Sequence, residues 1–491
     1  MDFSLKKKKC HTDRLSNLPD ELICQILSSL PTKDAAIASL SSKKMRSAFM
    51  YLTTLDFDDS PISYCARKNP QRFQIFKTFV NNVLQKSQSP HLSKFRLGFG
   101  GNSEIWAFHF YRRSKDCGEH CFPYLRAIEL NSWIGFPLSR GGVREIDLRI
   151  HVRKPGKMSS AAFTCETLEV LKLDTNLNFE LVSTMSSFRL PNLKVLQLRS
   201  IIIPEDDFVG KLVSNCPSLQ ELCIDCRWEY GKSVVISSPS LQKLVLLMNK
   251  DFKFDYPCEL LNIDTPNLQY FEYEDMLALH NSVTSMKAPI QASINIDCDC
   301  DWGTSEGCFR EMLNLVQAVC NVQHLSLTSS YLEVLDFEDL KNQLPTFHNL
   351  KHLKFGTYLR RNWDDTVLFE FLRRSPVLEV LEFPDGIDPF YVINPDREYQ
   401  KMIVERDHWF FGKNQASPCC FKTCLKRIVI KYYCGTVREL EFLRSLLLTA
   451  PALEELLIIC EREDDIVDQA LAENTLKELR IVSSTCLITV Q

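Results

Sequence analysis

No Asn-x-Ser/Thr acceptor occurs anywhere in this 491-residue chain, and its 20 cysteines are scattered without paired spacing. Several of them (Cys24, Cys223, Cys320, Cys460) fall inside helix or strand patterns. That placement predicts reduced, partly buried thiols and excludes a disulfide framework, so the expected setting is cytoplasm or nucleus. No apolar run approaches the roughly 20 residues that a membrane-spanning helix requires. Met1 to Lys9 is polar and basic with no apolar stretch after it, which predicts no secretory signal. Net charge is only −4, with a pI near 6.2, so bulk electrostatics favour neither nucleic acid nor an anionic membrane.

Signatures of chemistry are missing as well. There is no nucleophile elbow, no dinucleotide fingerprint and no carboxylate pair placed for acid–base work. Gly98-Phe99-Gly100-Gly101 has no Lys-Ser/Thr after it and reads as a turn, not a phosphate cradle. His348 and His352 have the i, i+4 spacing of a zinc-binding helix, but they lack its glutamate and straddle a predicted strand. Cys117-x-x-His120-Cys121, Cys298-x-Cys300 and Cys419-Cys420 lack the second half of a metal-binding spacing. The expectation is therefore a non-enzyme without metal or cofactor.

What the chain does contain is a repeat. Leu-x-x-Leu-x-Leu or a close variant begins at Leu168, Leu193, Leu219, Leu241, Leu268, Val322, Leu350, Leu378, Leu425, Leu453 and Leu476. A degraded copy is read at Gln291, and weaker copies at Leu92, Leu125 and Val143. From Leu168 onward the start-to-start steps run from 22 to 31 residues, apart from one of 47. Such a period and signature resemble stacked leucine-rich repeats. Positions i+3 and i+5 are apolar around a variable residue, the period of a short strand with one buried face. Helical patterns lie between strands at Glu205–Asn215, Glu306–Val319, Asp364–Arg374 and Val437–Thr449. Strand then helix, repeated, predicts an irregular solenoid with strands concave and helices convex. An Asn just past the strand is found only at Asn176 and Asn249. The long step holds an insertion, about Asp385 to Lys422, read as a loop.

On this reading i+4 and i+6 point to the concave face. Asp225, Glu272, Glu274 and Asp297 then form an acidic patch that could receive a basic segment of another protein. Val429 and Leu457 are apolar at the same positions.

The first sixty residues do not repeat. Lys6–Lys9 reads as a solvated tail or a nuclear import signal. Pro19 opens a helix whose dipole Asp20 and Glu21 complement. Leu18, Leu22, Ile23, Ile26, Leu27 and Leu30 make a stripe too wide for one narrow contact, Pro31 stops the helix, and Thr32 is expected to cap a second one.

Leu18-Pro19-x-Glu21-Leu22-x-x-x-Ile26-Leu27-x-x-Leu30-Pro31 resembles an F-box. Cys424 to Ile459 resembles the FBD region of a large plant family of F-box/leucine-rich-repeat proteins. The resemblance implies an α/β chain ordered as a basic tail (1–12), F-box (13–57), repeat solenoid (58–400) and FBD region (401–491). It implies a substrate receptor of an SCF-type ubiquitin ligase. Leu18, Pro19, Glu21, Leu22, Ile26, Leu27, Leu30 and Pro31 would contact a Skp-type adaptor, and through it a cullin, while the repeats bind a substrate protein. Met45 and Phe49 stand where family members usually carry Trp. The alternatives are a free-standing repeat scaffold with a degenerate F-box, or a small-molecule sensor.

Overall fold

A computed structural model describes residues 18–59, 71–100, 124–152, 156–158, 163–179, 189–203, 208–228, 233–248, 259–275, 280–284, 286, 290–296, 306–328, 343–356, 365–387, 417–433, 437–460, 474, 477–480, 482 and 486–491. The Lys6–Lys9 cluster, Cys117-x-x-His120-Cys121, Cys298-x-Cys300, Asn249 and Asp297 lie outside them. Two compact units emerge, Met1–Pro204 with Asn215–Leu219, and Glu205–Ser214 with Gln220–Gln491.

The first unit begins with three short helices: α1 (Asp20–Ser28), α2 (Thr32–Ala38) and α3 (Lys43–Phe49). Helices this short do not persist alone, so packing must hold them. Ile23 and Leu27 of α1, Ala35 of α2, and Met45 and Ala48 of α3 form their shared core. Pro19 and Pro31 sit in extended conformation just before α1 and α2. Ser42 caps α3 by accepting from the Met45 N–H at 3.2 Å. Lys44 reaches back to the Leu18 carbonyl and pairs with Asp20 at 3.2 Å, tying α3 to the start of α1.

Thr32 is not a cap. Its buried hydroxyl accepts the backbone N–H of Asp56 at 2.7 Å and so joins the helices to the first strand, β1 (Thr54–Asp58). That strand carries Leu52-x-x-Leu55-x-Phe57, a full copy of the repeat lying inside the segment read as F-box.

From β1 the unit continues with α4 (Arg72–Lys86), β2 (Lys94–Phe99), α5 (Ala127–Arg140), β3 (Glu145–Ile150), β5 (Val170–Thr175) and β7 (Val195–Ile203). Strands β1, β2, β3, β5 and β7 pair in that order, all parallel, and the short strands β4 (Lys157–Met158) and β6 (Asn178–Phe179) pair beside them. Parallel pairing follows from the connections: each strand returns through a crossover rather than a tight hairpin. In register, Leu55, Phe95, Ile146, Leu171 and Leu196 form one buried column, and Phe57, Leu97, Leu148, Leu173 and Leu198 a second. Each such side chain contributes roughly 1.5–3 kcal/mol on burial. Helices α4 and α5 cover these columns and are joined where the Trp133 indole N–H donates to Asn81 at 2.7 Å.

The Leu125 copy belongs to α5, not to a strand. Its i+3 residue, Ile128, is exposed, whereas Leu125 and Leu130 are buried. An apolar i, i+3 pair suits either period, and here the helical one wins. At the end of β2, Gly100 has φ +92°, and a Cβ there would stand 2.0 Å from the His151 carbonyl oxygen. Only glycine fits that turn.

The second unit holds ten parallel strands in sequence order: β8 (Glu221–Trp228), β10 (Lys243–Met248), β12 (Tyr270–Asp275), β14 (Gln291–Ile296), β15 (His324–Thr328), β16 (His352–Gly356), β17 (Val380–Phe383), β18 (Arg427–Ile430), β19 (Glu455–Ile458) and β20 (Leu487–Val490). Helices α6 (Phe208–Ser214), α7 (Glu306–Ala318), α8 (Asp365–Arg373) and α10 (Val437–Thr449) occupy the helical patterns read from sequence. The residue trios Phe208, Leu212, Val213 and Leu368, Phe371, Leu372 are all buried, as their spacing requires.

Three connections differ from the expected helices. Between β8 and β14 the chain returns through β9 (Ser233–Ser237), β11 (Leu260–Asp264) and β13 (His280–Val283), which form their own parallel sheet. Val234, Ile236, Leu261 and Ile263 are fully buried, and β-branched alternation suits a strand here better than a helix. The insertion is not all loop: within it, Cys419–Thr423 forms a short helix, α9.

Two further copies shift. In register, Gln291 is opposite Tyr270, the i+2 residue of its own repeat, so the degraded copy starts two residues earlier than read, at 289. A shift of two preserves the alternation of faces, which is why the sequence hid it. The Leu476 copy is helical at 477–480, and the last strand is instead β20, nine residues further along.

Side-chain amides stitch neighbouring coils together. Asn176 accepts from the Val152 N–H at 3.0 Å and donates to its carbonyl at 2.8 Å. Asn192, Asn267 and Asn349, each just before a repeat leucine, donate to a backbone carbonyl one repeat earlier, at 2.8, 2.8 and 3.4 Å. The Asn-Leu dipeptide was the legible signal for this.

Candidate docking surfaces

On α1, residues four apart share a face. Ile23 and Leu27 turn inward, whereas Leu22, Ile26 and Leu30 turn out and are 36% to 44% exposed. Ile37 and Leu40, on and just after α2, extend the outward face at 61% and 70% exposure. The wide stripe of the sequence is thus two faces, one spent on the module's own core and one left uncovered. Glu21, Pro19 and Pro31 are also exposed, and Leu18 partly so. Leu27, at 1% exposure, departs from the expected contact set: it is core, and no partner could touch it without unfolding the helices. Met45 is likewise internal, so its replacement of an aromatic residue alters packing within the module and not the outward face.

Along the strands the i+2, i+4 and i+6 positions form the less buried face. In the first unit this face neutralises itself. Arg96 reaches Asp58 at 2.6 Å and Asp56 and Asp147 at 3.5 Å each, and Arg149 pairs with Asp147 at 3.3 Å. Burial pushes the Asp56 carboxyl up, and the Arg96 charge opposes that.

In the second unit the charges separate. Glu272 and Glu274 lie two apart on β12 and so share a face, with Glu272 accepting from the Tyr270 hydroxyl at 2.7 Å. Asp225 on β8 is aligned with Glu274 across Leu247 of β10, and Cys223 with Glu272 across Val245, so an apolar column interrupts the expected acidic patch. Asp297 falls outside the described residues, and with the corrected register the pair on the less buried face of β14 is Ser293 and Asn295.

Further along, Lys354 on β16 is aligned with Glu382 on β17. The buried Glu382 carboxylate receives Lys354 Nζ at 3.0 Å, Lys431 Nζ at 3.4 Å and His352 Nε2 at 3.2 Å. Burial pushes the Glu382 carboxyl up, but the hydrogen bonds and charges of the two lysines outweigh it and hold it below the usual range. His352 is held below the usual imidazole range, mainly by burial, against the pull of Glu382. His324 stands edge-on to His352 with ring centres 5.7 Å apart. Beyond Glu382 the row continues with Val429, nearly buried, and Leu457. The cluster could not be found from sequence, because its members run from His324 to Lys431 and only register joins them.

Among the described residues no group of three or more His, Cys, Asp or Glu is placed to hold a metal, and no helix is long and apolar enough to cross a membrane.

Comparison with known proteins agrees with this division. The F-box domain profile matches residues 15–53, and the profile described as "FBD-associated F-box protein At5g56370, LRR repeats" matches residues 130–293. Among curated relatives from Arabidopsis thaliana, the putative F-box/FBD/LRR-repeat protein At3g59240 is 31% identical over 91% of this chain and 84% of its own length. The F-box/LRR-repeat protein At3g59190 is 30% identical over 76% of this chain and 92% of its own. The putative F-box/LRR-repeat protein At3g58920 is 29% identical over 90% and 92%. With a helical module that exposes one apolar face, parallel repeat strands following it in the chain, and relatives alike over most of their length, the chain belongs to the F-box/LRR-repeat family.

Proposed function

We propose that the protein is the substrate-recognition subunit of an SCF-type ubiquitin ligase. The observation that carries this reading is the outward face of Leu22, Ile26, Leu30, Ile37 and Leu40, each exposed among the described residues. Burying such side chains is worth roughly 1.5–3 kcal/mol each, enough in sum to meet the approximate 4–15 kcal/mol cost of association. A Skp-type adaptor is the partner, and a cullin joins through it. Glu21, Pro19 and Leu18 border the same contact. Met45 is internal and Phe49 half-buried, so neither departure removes a residue of this outward face, which supports a working adaptor site over a scaffold whose F-box has decayed.

In this reading the parallel strands form an irregular solenoid that ends in an FBD region over residues 401–491, and the solenoid's strand face holds a target protein. The chain itself performs no chemistry. It raises the effective concentration of the target's lysines near a conjugating enzyme carried by other subunits. The setting is cytoplasm or nucleus.

Co-purification of the full chain with a recombinant Skp-type adaptor tests the proposal. Wild-type protein should retain the adaptor, and Ile26→Asp should lose it without loss of fold. Failure of the folded wild-type protein to retain any adaptor overturns the reading.

A further inference from the structure

We propose that the strand face over β15–β18 is the docking site for an acidic segment, rich in Asp or Glu, of the protein that the repeats capture. The inference rests on the substrate-receptor reading and names the chemistry of what is received.

Pairing between successive strands assembles the site. His324 is aligned with His352, and Lys354 with Glu382, while the Lys431 backbone N–H donates to the Phe383 carbonyl at 3.0 Å and so brings its side chain beside Glu382. One carboxylate holds two ammonium groups, at 3.0 and 3.4 Å. One lysine would suffice to neutralise it. The second leaves a positive charge in excess. Each ammonium carries three donors, and its contact with Glu382 uses one. Glu382 is 11% exposed at its side chain, while Lys354 and Lys431 are 43% and 42% exposed. The anion thus sits beneath the cations and fixes their position, and the cations are what a partner meets. Such preorganisation lowers the entropy that binding would otherwise cost.

The neighbouring strands add direction. Toward β14 the half-buried residues Ser293, Asn295 and Ser326 are polar and uncharged, and beyond them Glu272 and Glu274 repel an anion. Adjacent strands lie about 4.8 Å apart, so β12 to β17 is roughly 19 Å, the reach of about six extended residues. An acidic segment crossing this face is attracted at one end and rejected at the other. Val429 and Leu457 flank the attractive end with apolar surface.

The test uses full-length protein bound to the adaptor, with fluorescence anisotropy of a labelled oligoglutamate and of oligoglutamine of equal length. Oligoglutamate should bind more tightly than oligoglutamine, and the difference should shrink with added salt. Lys354→Gln/Lys431→Gln should weaken it by about tenfold or more, since charge-assisted hydrogen bonds are at stake. Lys354→Arg/Lys431→Arg should restore most of the binding, and Glu272→Gln/Glu274→Gln should not weaken it. Equal binding of both peptides, unchanged affinity in the double glutamine variant, or capture of a phosphoserine peptide but not oligoglutamate would each overturn the proposal. Adaptor retention, read on the same samples, reports separately on the ligase reading.

Discussion

The three amino-terminal helices and the strand ladder behind them dispose of apolar side chains in opposite ways. In α1 the stripe wraps around the helix, so Ile23 and Leu27 are core while Leu22 and Ile26, one residue away, face outward. On β16 the two sides differ: Leu353 and Phe355 are buried, and His352 and Lys354, between and beside them, are not. The module is too small to bury all its large apolar residues, whereas each strand buries its apolar face against the next coil. The contrast teaches where recognition resides. On the helices it is apolar surface in search of cover, and on the strands it is the order of charges.

Paired substitutions of neighbours break this comparison most sharply. Leu27→Asp and Leu353→Asp each place a carboxylate in a closed core and should abolish cooperative unfolding of their units, read by circular dichroism on heating. Ile26→Asp, one residue away, should leave the melting curve within about 0.5 kcal/mol of wild type while removing adaptor binding, and Lys354→Gln should weaken oligoglutamate binding by less than the double glutamine variant does. If Ile26→Asp unfolds the helices, the two-face description of α1 is wrong.

A smaller effect is expected at the junction. Thr32→Val keeps the shape but leaves the buried Asp56 N–H without its acceptor, at a cost of about 1–3 kcal/mol in chemical denaturation. Asn176→Ala should cost a similar or lesser amount, about 1 kcal/mol, by unpairing both backbone groups of Val152. No change in either variant would mean that neighbouring coils hold together by apolar columns alone.

The smallest effect is a pH dependence. The Arg126 side chain, against the opposing effect of burial and with help from Lys77, holds the Glu129 carboxyl down at about 2. A depressed carboxyl stabilises the fold above its unfolded value, near 4.5, and that contribution is lost as pH falls toward 2. Glu129→Gln should therefore flatten the acid limb of the melting temperature between those values and leave the slope at neutral pH unchanged.

Much of the architecture was legible in the residues. Apart from the copy at Gln291, the strand positions from Leu168 to Leu453, the four long helical patterns and the amino-terminal helices appear where period and proline predict them. The misreadings share a cause. Leu125 and Leu476 carry apolar residues at i and i+3, which helix and strand patterns both allow, and Gln291 was out of phase by two, which leaves the faces unchanged. The copy at Leu52 was hidden because it overlaps the F-box segment.

Local order, then, was decided by the sequence itself: where most strands and helices begin, which residues are apolar, and that strand-forming repeats follow one another. Register and burial belong to the tertiary structure. Only packing could assign Leu27 to a core and Ile26 to a surface, because adjacent residues on a wide helical stripe differ in nothing but the direction they face. Only strand pairing could set Lys354 and Lys431 on one carboxylate, since contacts between residues far apart in the chain leave no trace in its period.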